Sequence, residues 1–139
     1  MIGILVVTHG NLAKELVNAL EKIVGKQEKV VALSIDWEDD VDAARGHIGK
    51  ALAQVGRRNV LVLTDMFGGT PTNLVLPFSG DGVEVVTGVN LPMLIKACQI
   101  RTRPLPDVAR VVCAQGRESV QVAGDLLAPS GRAGDRSPA

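Results

Sequence analysis

Two rhythms of apolar residues alternate along the chain. Short, mainly apolar runs fall at 1–8, 29–35, 60–63 and 83–87, the signature of strands buried on both faces. Between them apolar residues recur at helical spacing. Leu12, Leu16, Ala19, Leu20 and Ile23 form one such series, stopped by Gly25, and Val41, Ala44, Ile48, Ala51, Leu52 and Val55 form a second, ending at Gly56. A third helix opens at Thr70-Pro71, where Thr suits a cap and Pro the first helical position, and Pro77 and Gly80 keep it short. A fourth spans about 91–100. Strand and helix in alternation predict an α/β fold, an open and mainly parallel sheet with helices on both faces. Right-handed crossovers make 2-1-3-4 the simplest strand order.

Beyond Pro104-Leu105-Pro106 the rhythm changes. Residues 107–115 read as another short helix, and Val120 and Val122 alternate around Gln121 before Ala123, which predicts a final edge strand. Residues 1–127 are expected to form one domain. Residues 128–139, rich in Pro, Gly, Ser and charge, are expected to be a disordered tail.

Composition narrows the function classes. At 139 residues, 46% hydrophobic and 22% charged, the chain can bury a core without staples. With aromatics at 2% and no Tyr, that core must be aliphatic. Fifteen basic and fifteen acidic side chains cancel, so no net field favours nucleic acid. No apolar segment approaches the ~20 residues that span a bilayer, and the N-terminus lacks export features, so a cytoplasmic location is expected. Cys98 and Cys113 lack metal or redox spacing and read as small core residues. With only two His, at unrelated positions, neither a metal site nor a cofactor is expected. His47 reads as surface, Asp39, Asp40 and Asp42 as acids complementing a helix dipole, and the single Trp37 as core packing, with the rim of a crevice as the alternative.

Thr8-His9-Gly10 ends the first strand, and Asp65 follows the third. In the order 2-1-3-4 these strands are neighbours whose crossovers leave toward opposite faces, so both residues should meet at the switch point. A carboxylate accepting the proton of one imidazole nitrogen fixes the tautomer and leaves the other nitrogen nucleophilic. Helix N-termini just after Gly10 and near Thr70, with the N–H groups of Gly68 and Gly69, suit an anionic group such as phosphoryl, and the hydroxyls of Thr70 and Thr8 could add donors. The glycines form neither a Walker loop nor a G-x-G-x-x-G turn.

Thr8-His9-Gly10, the run Asp65-x-x-Gly68-Gly69-Thr70-Pro71-x-Asn73 and the run Gly88-Val89-Asn90-Leu91-Pro92-Met93-Leu94 together resemble the enzyme IIA component of the mannose family of the bacterial phosphoenolpyruvate-dependent sugar phosphotransferase system. The resemblance covers Met1 to roughly Leu127. It implies that His9 accepts a phosphoryl group on Nε2 from the carrier HPr while Asp65 holds Nδ1. It also implies that the group passes to a histidine of a IIB component, with the membrane reached only through other subunits. Thr70 would lie by the phosphate. The resemblance further implies a homodimer that exchanges the C-terminal edge strand. Position 70 is Thr where a variant of the motif has Ser, and residues 101–107 match no motif. A regulatory phosphohistidine module without transport, and a subunit feeding a dihydroxyacetone kinase, share this chemistry. Asp65 as acceptor, in the manner of response regulators, would need more acids at the strand ends than Asp36 and Asp65 supply.

Overall fold

The apolar runs become the four strands of a parallel sheet: β1 (Gly3–His9), β2 (Val30–Ile35), β3 (Val60–Thr64) and β4 (Val83–Val86), in the order β2-β1-β3-β4. The computed structural model describes residues 1–127; the tail expected at 128–139 lies outside the described residues. β1 is central, with Ile4 opposite both Val30 and Leu61. Successive side chains along a strand point to opposite faces, so β1 and β3 supply two cores. Ile4, Val6, Leu61 and Leu63 pack under α1 (Leu12–Val24), α4 (Leu91–Gln99) and α5 (Leu105–Glu118). Leu5, Val7, Val60 and Val62 pack under α2 (Val41–Gln54) and α3 (Thr70–Val75), which continues as a 3-10 turn over Leu76–Phe78. The chain therefore leaves β1 toward one face and β3 toward the other, which opens the switch-point crevice between their carboxyl ends.

The run from Gly88 to Leu94 is explained by packing. Asn90 caps α4, its Oδ1 accepting the Met93 N–H at 3.0 Å, while its Nδ2 donates to Ser119 Oγ at 3.2 Å and reaches the end of α5. Met93 in turn lies against Gly116, where an added Cβ would stand 2.5 Å from its sulfur. These residues lock α4 onto α5.

Two sequence expectations change. α5 begins at Leu105 rather than 107 and runs to Glu118, with Pro106 tolerated in its first turn because no intrahelical N–H is needed there. The edge strand expected at 120–123 is not formed within the chain. Residues 120–122 belong to no element, Val120 and Val122 are exposed, and Ala123–Leu127 forms a short helix, α6. A strand persists only where its backbone finds a ladder, and among the described residues this segment is offered none.

Arg101, in the stretch that matches no motif, is 6% exposed. Its Nε and Nη2 donate to the Ile2 carbonyl at 3.0 and 2.7 Å, and Nη2 also reaches the Lys29 carbonyl at 3.3 Å. It thus ties together backbone acceptors just before β1 and β2, where the Lys29 carbonyl also accepts the Ile4 N–H at 2.9 Å. Burial holds its guanidinium pKa below the usual arginine value. Arg101→Ala is expected to cost about 1.5–3 kcal/mol, the range for hydrogen bonds to a charged group. Urea unfolding monitored by circular dichroism checks this, and an unchanged midpoint would remove the structural role assigned to Arg101.

Candidate active site

His9 is the last residue of β1, mostly buried at the crevice, and its ring is held from three directions. The first hold is Asp65, which follows β3. Its Oδ2 accepts both the His9 backbone N–H at 3.0 Å and the ring Nδ1–H at 2.6 Å, while its Oδ1 accepts the Met66 N–H at 3.0 Å. An ionised carboxylate only accepts, so Nδ1 carries the proton and Nε2 keeps its lone pair. Burial alone would raise the Asp65 carboxyl. The hydrogen bonds from the ring and backbone of His9, with the attraction of its charge, outweigh burial and hold the pKa below the ordinary 3.8.

That lowered value fixes a pH dependence. A carboxyl depressed by folding contributes stability that is present above its unfolded value and lost as pH falls through its folded value. The gap in urea midpoint between the protein and its Asp65→Asn variant is expected to persist down to about pH 5. It should close only below the ordinary 3.8. A gap that widened steadily below that value would contradict this.

The second hold is Gly69. A Cβ built there would stand 2.9 Å from His9 Cε1 and 3.5 Å from Nε2. Only glycine lets the loop after β3 lie this close to the reactive nitrogen. Two buried hydroxyls fix that loop: Thr72 Oγ1 donates to the Met66 carbonyl at 2.6 Å and contacts Thr64 Oγ1 at 2.7 Å. Neither threonine stood out in the sequence, since a buried hydroxyl pair leaves no periodic trace.

The third hold is Trp37, in the turn after β2. Its ring centroid lies 4.9 Å from that of His9, with 31° between the planes. Core packing, the favoured sequence reading, is overturned: Trp37 is 83% exposed and stands on the crevice rim. The turn is closed by Asp39, whose Oδ2 accepts the Asp36 N–H at 3.0 Å while its own N–H donates to the Asp36 carbonyl at 3.1 Å. Asp39, read as a dipole-complementing acid, therefore builds the turn under Trp37.

Several other expected roles shift. Thr8 is fully buried, its Oγ1 accepting the Ala13 N–H at 2.6 Å, so it satisfies a donor in the first turn of α1 and does not face the crevice. The Gly10 N–H, expected to receive an anion, donates to the Ile35 carbonyl at 3.1 Å. What Gly10 supplies is the turn, at φ 52°. Thr70 is the first residue of α3 rather than its cap, and its side chain makes no capping bond. Its exposed side chain lines the same pocket as His9 and Trp37. Gly68, at φ 82°, turns the loop toward α3, at whose opening the N–H groups of Gly69 and Thr70 stand without intrahelical acceptors. His47 is exposed on α2. Cys98 and Cys113 are partly buried against the core. Among the described residues no three His, Cys, Asp or Glu side chains form a cluster able to hold a metal.

Chemically, the arrangement presents one imidazole lone pair beside open backbone donors, with the opposite nitrogen tied to a carboxylate that offsets any positive charge on the ring. This is the equipment of a nitrogen nucleophile that captures an anionic electrophile.

The chain is similar to known proteins along most of its length. Residues 3–110 match the family described as PTS system fructose IIA component. The fructose-specific EIIA component of Bacillus subtilis is 27% identical over 131 residues, covering 91% of this chain and 90% of that protein. The mannose-specific EIIAB component of Escherichia coli is 32% identical over 130 residues, covering 86% of this chain but 39% of that longer protein. Among solved structures, the phosphotransferase system component EIIA of Streptococcus agalactiae superposes with a TM-score of 0.79 at 29% identity, covering 89% of this chain and 98% of that one. The mannose/sorbose-specific IIA subunit of Enterococcus faecalis gives a TM-score of 0.80 at 26% identity, covering 87% and 93%.

Proposed function

The chain belongs to the mannose-type IIA family of the sugar phosphotransferase system, and from that premise we propose that it is a phosphocarrier. His9 accepts a phosphoryl group on Nε2 from phospho-HPr and passes it to a histidine of a IIB component. The observation that carries this reading is the 2.6 Å contact between His9 Nδ1 and Asp65 Oδ2, which leaves Nε2 as the basic nitrogen beside Gly69 and Thr70.

In the forward step the Nε2 lone pair forms a bond to phosphorus as the P–N bond of the donor breaks. The bonding pair returns to the departing donor nitrogen. The ring keeps its Nδ1 proton and becomes cationic, and the Asp65 carboxylate stabilises that charge. The phosphoryl oxygens lie toward the N–H groups of Gly68, Gly69 and Thr70 and the Thr70 hydroxyl. Transfer to IIB reverses these movements, so the site needs a phosphohistidine that is neither too stable nor open to water.

The protein works in the cytoplasm and meets the membrane through other subunits; among the described residues no helix is long and apolar enough to cross one. It is a homodimer in which the segment beyond α5 pairs with the sheet of the second copy. The exposed apolar side chains of Val120 and Val122 support that reading, because a strand added from a partner would bury them and cover a sheet edge.

The test is incubation with phosphoenolpyruvate, enzyme I and HPr. The protein should take up a phosphate that is labile in acid and stable in base, as a phosphorus–nitrogen bond is. A protein that stays unlabelled under conditions that phosphorylate HPr would overturn the reading.

A further inference from the structure

Trp37 is the least expected neighbour of His9. Large apolar side chains left in water are usually scattered, yet this indole lies over the ring that the proposed reaction makes cationic. We propose that Trp37 is a positioning residue whose aromatic face stabilises the cationic, phosphorylated His9 ring and so prolongs the life of the phosphoenzyme. The proposal rests on the reading of His9 as phosphoryl acceptor and deepens it.

The geometry carries the argument. Ring centroids 4.9 Å apart, with 31° between the planes, make a tilted, stacked contact rather than a perpendicular one, and bring the imidazole within reach of the indole face. The face of an aromatic ring is the negative end of its quadrupole, and cations within about 6 Å of the centroid are attracted to it, most strongly by Trp. The neutral ring gains little from this contact. The ring gains more once Nε2 is bonded to phosphorus and Nδ1 still holds its proton. Asp65 acts in the ring plane, through Nδ1, whereas Trp37 acts from the face, so the two restrain different motions. The turn that holds Trp37 is closed by paired hydrogen bonds between Asp36 and Asp39. The indole is thus presented by a fixed turn despite its 83% exposure. That exposure also means little core packing depends on it.

Loss of the phosphoenzyme to water is the step the indole would slow. Water attacks phosphorus, the N–P bond breaks, and its electron pair returns to Nε2, discharging the ring. An interaction that favours the charged ring raises that barrier.

Phosphohistidine can be formed with phosphoramidate, which needs no protein donor. The Nε2 lone pair bonds to phosphorus, the P–N bond breaks, and ammonia leaves with its electron pair. With the protein charged in this way, the half-life of the N–P bond should fall about two- to fivefold in Trp37→Leu, the range an exposed cation–aromatic contact supports. Trp37→Phe should restore most of it. Trp37 is the only Trp of the chain, so its emission is a direct readout: phosphorylation should change it in the unsubstituted protein and leave it unchanged in His9→Ala. Equal half-lives in Trp37→Leu and the unsubstituted protein would overturn the proposal, as would emission indifferent to phosphorylation. A Trp37→Leu variant that only raises KM for HPr would make Trp37 a partner contact instead. If phosphoramidate charged His9 and HPr did not, the donor assignment would fail while the half-life comparison still decided the role of Trp37.

Discussion

Replacing His9 with alanine is expected to abolish phosphate uptake while leaving the protein folded. The fold should survive because the ring sits at the end of β1, 21% exposed, and belongs to neither core. Uptake should vanish because no neighbour can take its place. Both oxygens of Asp65 already accept hydrogen bonds, and with the ring gone Oδ2 still holds the backbone N–H of residue 9 while Oδ1 holds that of Met66. The Thr70 hydroxyl has no base beside it once the imidazole is removed, and an unactivated hydroxyl is a weak nucleophile near neutral pH. The measurement is incorporation of labelled phosphate through phosphoenolpyruvate, enzyme I and HPr, with circular dichroism as the folding control. Label retained by His9→Ala would put the acceptor on another residue.

Asp65→Asn should slow transfer by about 10²- to 10⁴-fold, the scale seen when an orienting carboxylate beside a catalytic imidazole is made neutral. In the unsubstituted protein Oδ2 receives two N–H groups from His9 and Oδ1 receives one from Met66. An amide has one acceptor oxygen and one donor nitrogen. If its oxygen faces His9, its NH₂ meets the Met66 N–H, donor against donor. If the amide flips, its NH₂ faces His9 and favours the tautomer with the proton on Nε2, which has no lone pair left to attack. Either arrangement also removes the negative charge that offsets the cationic ring. Single-turnover transfer from phospho-HPr measures the effect, and Asp65→Ala serves as the variant without a donor. Both should fold, since Asp65 lies in a loop at the rim and not in a core. Wild-type rates in these variants would remove the orienting role.

Much of the architecture could be read from apolar rhythm alone. The strand order, the two helix layers and the convergence of His9 with Asp65 all follow from four buried strands linked by right-handed crossovers. Rhythm reports which side of an element is buried, and it does so reliably only where the element is long. It failed at 120–123, where a two-residue alternation meant a strand only if a backbone stood alongside. It also failed at Trp37, because a bulky aromatic ring suits a core and a rim equally well until the turn beneath it is known.

The chain's own pattern thus determined the four strands and the helices that cover them, which faces they bury, and that an imidazole and a carboxylate share one crevice. These are consequences of local periodicity and of connection handedness, and both are written along the polymer. Tertiary structure alone decided how single polar atoms are used. The Thr8 hydroxyl went to a helix amide, the Gly10 N–H to a carbonyl of the neighbouring strand, Arg101 to the carbonyls before two strands, and the indole of Trp37 to the face of His9. Hydrogen bonds and ring contacts are settled within a few tenths of an ångström by segments distant along the chain, and no residue pattern encodes a separation that small.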